Sequence, residues 1–211
     1  TSLAFFADEY RLNAMLAAYE KPIVSLIDGI VMGGGVGLSC HGSYRVMTEK
    51  ALFAMPEVGI GFFTDVGGSY LLPRLKGSFG LYLGLTGARI KAGDAWHAGI
   101  ATHCVPSDEL PALLERLTRE GDPARTLARF HRVIEPATDE SARLSIARHF
   151  SRGTLADLLS GLEAAGTHDE TAASGLAAIR KASPTSVAVV FRQLETGAML
   201  EFDECMRMEY R

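Results

Sequence analysis

Cysteine is scarce in this 211-residue chain. Cys40, Cys104 and Cys205 are odd in number and far apart, which rules out a paired disulfide framework and gives no zinc-ligand spacing. Reduced thiols in a cytosol-like compartment are the simplest reading. Long apolar runs are missing too: none reaches the roughly 18 residues of a membrane span. The first ten residues, TSLAFFADEY, have neither the basic start nor the extended apolar stretch of a signal peptide, and no initiator Met. There is no basic excess. Twenty-one Lys and Arg against 25 Asp and Glu leave a net charge of −4, which argues against nucleic acid as the main partner. Repeats and low-complexity tracts are absent.

What the chain does have is apolar mass and glycine. Hydrophobic residues make up 47% of it, enough for a sizeable core, and 22 residues are glycine. Six glycines fall within residues 29 to 42, GIVMGGGVGLSCHG. The dinucleotide fingerprint fails there, because the third glycine is Leu38 in one frame and Cys40 in the next. A P-loop fails as well, since no Gly-Lys-Ser/Thr closes the cluster. Two uses stay open. One is close packing of a helix on a strand. The other is a turn from a strand ending at Asp28 into a helix beginning near Gly34, whose unpaired N–H groups and positive dipole end would polarise a carbonyl oxygen.

Two carboxylates follow in apolar, glycine-rich surroundings: Glu57 in FAMPEVGIG and Asp65 in GFFTDVGG. Such flanks desolvate an acid and raise its pKa, which suits general acid or base work. The structural alternatives are a solvent-facing strand end for Glu57 and a helix N-cap for Asp65. His41 reads as structural. His97 and His103 have no recognisable metal spacing, and His131, His149 and His168 read as surface residues of a helical region. No serine has a G-x-S-x-G frame, which disfavours a triad hydrolase.

Periodicity predicts a helix over 4–20, strands in KPIVSLIDG, YRVMTE and ALFAMPE, and a helix opening near Asp65. Further helices are predicted over 77–86 and 91–98, followed by a strand in IATHCVP. Residues 120–136 read as irregular. Helices follow near 138–150, 153–164, 169–182 and 185–200, and the tail EFDECMRMEYR also reads as helical. The front part alternates strand and helix, while the part beyond 107 is nearly all helix.

The segment KPIVSLIDGIVMGGGVGLSCHGSYRVMTEKALFAMPEVGIGFFTDVGGSYLLPRL, with LTGARIKAGDAWHAGIATHCVPSDEL and FDECMRMEYR, resembles the enoyl-CoA hydratase/isomerase (crotonase) superfamily. The likeness is dense from about residue 21 to 110 and weaker beyond. It implies an α/β fold, a crotonase-like ββα superhelix with a mostly helical C-terminal region. Residues 1–106 would be the core and 107–211 the helical region of the same domain. It implies that Gly34 N–H polarises an acyl-CoA thioester carbonyl, with Gly33, Gly61 and Phe62 at the substrate.

The hydratases carry a catalytic Glu three residues after that glycine, where this chain has Gly37. That loss, with Glu57 and Asp65 both present, resembles the thioester-hydrolysing branch. Its implied reaction is hydrolysis of a short β-hydroxyacyl-CoA, 3-hydroxyisobutyryl-CoA first among substrates, as in valine breakdown. The alternatives are an enoyl-CoA hydratase or isomerase using Glu57 alone, and a non-catalytic acyl-CoA-binding protein. No metal or redox cofactor is implied, since coenzyme A arrives with the substrate. No nucleic-acid or membrane partner is implied, and the oligomeric state stays open among the superfamily's homo-oligomers. The compartment would be the cytoplasm, or the mitochondrial matrix in a eukaryote.

Two departures from the pattern stand out. Thr64 replaces the proline usual before the aspartate, which is expected to loosen the loop that aims Asp65. The family also draws its second N–H donor and much of its adenine pocket from a segment upstream of the position numbered 1 here. The expectation is therefore a piece of a longer protein, weak or inactive alone, because losing one such donor typically costs about 100- to 1000-fold in rate.

Overall fold

The computed structural model describes residues 2–151 and 153–211. Helix α1 (Ser2–Ala17) leads into β1 (Val24–Ile27), β2 (Ile30–Met32) and α2 (Gly34–Ser39). Strands β3 (Tyr44–Met47) and β4 (Leu52–Ala54) follow, then a 3-10 turn at Glu57–Ile60 and a one-turn helix α3 (Gly68–Leu71). Helix α4 (Phe79–Thr86), β5 (Ile90–Lys91), α5 (Ala92–Ala98) and β6 (His103–Cys104) complete the mixed part. The remainder is helical: α6 (Leu110–Glu120), α7 (Pro123–Phe130), α8 (Glu140–His149), α9 (Leu155–Ala165), α10 (Glu170–Lys181), α11 (Pro184–Gly197) and α12 (Phe202–Tyr210). Among the described residues no helix is long and apolar enough to cross a membrane.

The strands divide between two three-stranded sheets, ordered β1-β3-β6 and β2-β4-β5. Successive strands of each pair go to different sheets, so the chain winds as a superhelix of ββα turns. β1, β3 and β6 run parallel, as do β2 and β4, while β5 joins β4 antiparallel. Parallel pairing needs both faces covered. Here Val31, Met47, Phe53 and Met55 are buried in one core with Leu83 and Leu85 of α4 and with Val190 and Leu194 of α11. That core crosses residue 106 without a break. A smaller cluster of Val46, Val105, Leu113 and Leu127 lies under α6 and α7.

Five expectations are corrected. The stretch read as a turn between Asp28 and the glycine run contains β2. Gly29 did not end the extended chain; it only moved it from one sheet to the other. Residues read as irregular hold α7, begun by Asp122, whose side chain accepts from Arg125 N–H, with Pro123 in the first turn. The helix expected to open near Asp65 begins at Gly68 with Gly67 as its N-cap. His149 is buried rather than at the surface, its Nε2 3.5 Å from Asp169. His131 is half-buried and its Nδ1 accepts the Cys104 N–H at 3.0 Å.

Local caps set the register of the helical part. Asp139, Thr154, Asp169 and Ser183 each accept an N–H three residues on, as Asp122 does. Each such cap contributes about 1 kcal/mol. The closest backbone approach is at the start of α4. A Cβ on Gly80 would lie 1.7 Å from the Leu72 carbonyl oxygen. Backbone cannot yield there as a side-chain tip could. Gly80→Ala is therefore expected to destabilise the fold by at least about 1–3 kcal/mol, read as a lower urea midpoint with an unchanged slope.

Candidate active site

The glycine run forms a turn that only glycine adopts easily. Gly33 has φ +51° and ψ −126° and serves as the N-cap of α2. Val36 N–H already bonds back to the Gly33 carbonyl at 2.8 Å. The N–H groups of Gly34 and Gly35, ahead of it in the first turn, have no intrahelical acceptor by position. Glu57 faces this turn. A Cβ on Gly33 would sit 3.8 Å from Glu57 Oε1, so the carboxylate lies alongside the α2 N-terminus. Glu57 is 5% exposed, and its Oε2 has no hydrogen-bond partner. Burial first, then the charges of Asp65 and Glu209, push its pKa up to about 7, against an opposing hydrogen bond from its own backbone. Glu57 opens the 3-10 turn rather than ending a strand, and the solvent-facing alternative is overturned.

Asp65 is also buried. It is no helix cap: its Oδ2 accepts the Tyr10 hydroxyl at 2.9 Å, from α1. Burial raises its pKa above the usual aspartate range. The residues after it are Val66 at φ +50° and Gly67 at φ +84°. A β-branched residue at positive φ is strained, and such strain persists only where the surroundings over-determine it. They do so here. His41 Nε2 lies 2.6 Å from the Val66 carbonyl oxygen, which gives His41 the structural role expected of it. Glu209 accepts Gly67 N–H at 2.8 Å, Ser69 N–H at 2.9 Å and the Ser69 hydroxyl at 2.5 Å. Thr64 is fully buried, with its hydroxyl 3.5 Å from Gln193 Oε1. The loop that Thr64 was expected to loosen is tied down on several sides.

Gly33, Gly34 and Glu57 thus meet at one turn, with Asp65 near enough for its charge to raise the pKa of Glu57. Phe62 is half-buried and stacks between Phe6 of α1 and Phe63, with ring centroids 5.9 and 4.4 Å away. Gly61 closes the 3-10 turn at φ +79° and faces open space, with nothing within 4 Å of a Cβ placed there. Four neighbours escaped the sequence reading. Tyr10 lies 55 residues before Asp65, and Glu209 lies 140 and 142 residues beyond Ser69 and Gly67; no local pattern links such pairs. Glu9 Oε1 lies 2.8 Å from where a Cβ on Gly34 would be. Asn13, fully buried, has neither amide atom hydrogen-bonded. Its amide stands 2.8 Å from where a Cβ on Gly37 would be, and Val66 Cβ is equally near. The space that a side chain at position 37 would need is therefore filled.

A helix N-terminal turn with a buried acid beside it, and a second buried acid within electrostatic range of the first, lies on a ββα superhelix. The chain belongs to the enoyl-CoA hydratase/isomerase family, which matches it over residues 1–211. Among curated relatives it is 43% identical over 220 residues to the mitochondrial 3-hydroxyisobutyryl-CoA hydrolase of Danio rerio, covering 100% of this chain and 57% of that protein. It is 44% identical over 217 residues to the human one, covering 98% and 56%. The chain thus spans little more than half the length of these relatives. Among solved structures it is similar to a carnitinyl-CoA dehydratase from Mycobacterium thermoresistibile, with TM-score 0.90, 39% identity, and 99% of this chain and 61% of that one covered. An enoyl-CoA hydratase from Rhodobacter sphaeroides 2.4.1 matches with TM-score 0.83 and 39% identity, over 99% and 60%.

The raised carboxylates make stability depend on pH. Glu57 and Glu209 both hold their protons to about pH 7 when folded, each because burial disfavours the charge. In the unfolded chain they release them in the ordinary glutamate range. The folded state therefore binds more protons between those limits. Stability is full below the glutamate range and falls as pH rises toward 7, by up to about 1.4 kcal/mol per pKa unit for each group. Urea unfolding is expected to show lower stability at pH 8 than at pH 5, with a smaller difference in Glu57→Gln.

Proposed function

We propose that the chain carries the catalytic turn of an acyl-CoA thioester hydrolase acting on short β-hydroxyacyl groups, 3-hydroxyisobutyryl-CoA first among them. The observation that carries this reading is the pairing of Glu57 with the glycine turn while the side-chain space of Gly37 is taken by Asn13 and Val66. A reaction using one carboxylate at the acyl carbon needs only the first of these. Hydration across a double bond with two facing carboxylates would need an acid at position 37. The names of the curated relatives support the same reading.

In the proposed mechanism Gly34 N–H donates to the thioester carbonyl oxygen and stabilises the oxyanion as it forms. Glu57, ionised above about pH 7, takes one of two parts. As a nucleophile it adds to the carbonyl carbon and expels the thiolate of coenzyme A; water then cleaves the acyl-enzyme anhydride. As a base it removes a proton from the water that attacks. Asp65, whose buried carboxyl keeps its proton more readily than usual, donates to the departing thiolate or binds the β-hydroxyl. Phe62 and Phe63 would flank the acyl group. Coenzyme A enters only as part of the substrate. The compartment would be the cytoplasm, or the mitochondrial matrix in a eukaryote.

The second reading, a hydratase or isomerase with Glu57 alone, draws on the solved relatives described as a dehydratase and a hydratase. The two separate in one assay on the longest native reading frame: thiol release from 3-hydroxyisobutyryl-CoA beside hydration of crotonyl-CoA. Thiol release is expected from the parent, with kcat/KM rising as pH passes through about 7. Glu57→Gln and Asp65→Asn are each expected to lower it by on the order of 100-fold or more. Hydration without thiol release would transfer the assignment to the second reading, and neither activity from a folded parent would overturn both.

A further inference from the structure

We propose that Glu209 is a positioning residue for Asp65, its carboxylate seated in the amide nest of the Gly67–Ser69 turn so that the Asp65 carboxyl is held in place. The inference rests on the hydrolase reading for Asp65's chemical part, but not for the geometry. Asp65 is followed by two residues at positive φ, Val66 and Gly67. Backbone N–H groups in such a turn converge on a concavity that attracts an anion. Glu209 supplies the acceptor from α12, taking Gly67 N–H, Ser69 N–H and the Ser69 hydroxyl, and it is an anion there above about pH 7. The next residue on α12 braces the other side. The Tyr210 ring packs edge-on against the Tyr10 ring, centroids 6.3 Å apart, and Tyr10 donates to Asp65. Two consecutive α12 residues therefore support both the chain and the side chain of Asp65.

A purely structural cap would not need this design. The aspartate caps elsewhere, Asp122, Asp139 and Asp169, reach three residues along the chain, the first two exposed and the third half-buried. Glu209 reaches across 140 residues and is 4% exposed. Burying a carboxylate beside Asp65 carries a desolvation and repulsion cost that a local serine or threonine cap avoids. What the buried acid adds is two divergent acceptor oxygens at a fixed depth, and with them a fixed course for the strained turn.

The test is Glu209→Gln in the longest native reading frame, alone and combined with Asp65→Asn. The glutamine keeps the volume but places an NH2 against one of the turn's donors. Thiol release from 3-hydroxyisobutyryl-CoA is expected to lose tenfold or more in kcat, with KM moved less than about threefold. In the Asp65→Asn background the same change is expected to cost less than about twofold, because the residue it acts through is already lost. The 13C titration of the Asp65 carboxyl is expected to shift by about half a pKa unit or more. Equal losses in both backgrounds, or an unmoved Asp65 titration in folded Glu209→Gln, overturn the proposal. Should that variant not fold, Ser69→Ala removes a single donor and is expected to give about a two- to fivefold kcat loss with the same dependence on Asp65; independence from Asp65 overturns it. If the parent releases no thiol, the hydrolase reading fails, and the titration alone decides the part of Glu209.

Discussion

Three acids buried within electrostatic reach of one another are the constraint on which the rest of this structure depends. Glu57, Asp65 and Glu209 are each at most 6% exposed, and each has its pKa raised chiefly by burial. Mutual repulsion adds to the shift of Glu57 and of Glu209. Such a group of like charges favours unfolding unless protons or hydrogen bonds offset it. The chain uses both. Glu209 accepts three hydrogen bonds and Asp65 one, whereas one oxygen of Glu57 is left with none. The least satisfied of the three stands against the glycine turn. With one oxygen unpartnered and its pKa pushed up to about 7, it is the acid to which the proposed mechanism gives the attack on the carbonyl.

Holding those acids calls for elements from both ends of the chain. α1 contributes Tyr10 and Asn13, α12 contributes Glu209 and Tyr210, and the two helices pack on each other. Between them lies the turn through Val66 and Gly67, whose backbone strain is offset by Glu209 and His41. The superhelix supplies the rest. Because β1 and β2 belong to different sheets, the chain leaves β2 directly into the Gly33 turn, and β4 leads straight to Glu57 on the adjoining coil. Site and fold are thus one construction, in which the parallel pairing of β2 with β4 sets the glycine turn beside the acid.

Sequence reasoning reached the parts of this construction that are local. Helical periodicity and the Ser183–Pro184 start were legible, and so were the apolar strands, because each is written within a few residues. β2 was not, since a glycine inside an apolar run reads as an end when it is only a corner. α7 was not predicted although Asp122–Pro123 is a good start signal, since a proline that breaks a helix interior fits its first turn. At the site, apolar flanks correctly marked Glu57 and Asp65 as desolvated. The helix cap offered as the structural alternative for Asp65 fails for a physical reason: its partner is a tyrosine from α1, and a local signal cannot report a distant one. Glu209 shows the same limit more sharply, lying in an amphipathic helix whose sequence gives no sign of which acid turns inward.

Position 37 ties the chemistry to the packing. A glycine there is silent by itself, compatible with a lost catalytic acid or with mere close approach. The structure makes these a single statement. Asn13 and Val66 crowd the point where a side chain would begin, so position 37 is not open space awaiting a residue but a place already filled by α1 and the Asp65 turn. Val66 is held there by the same backbone strain that follows Asp65 in the chain. The glycine at 37 and the turn that follows Asp65 are therefore coupled by contact. An acid at 37 would have to displace the turn that carries Asp65, and an Asp65 turn in this place closes position 37.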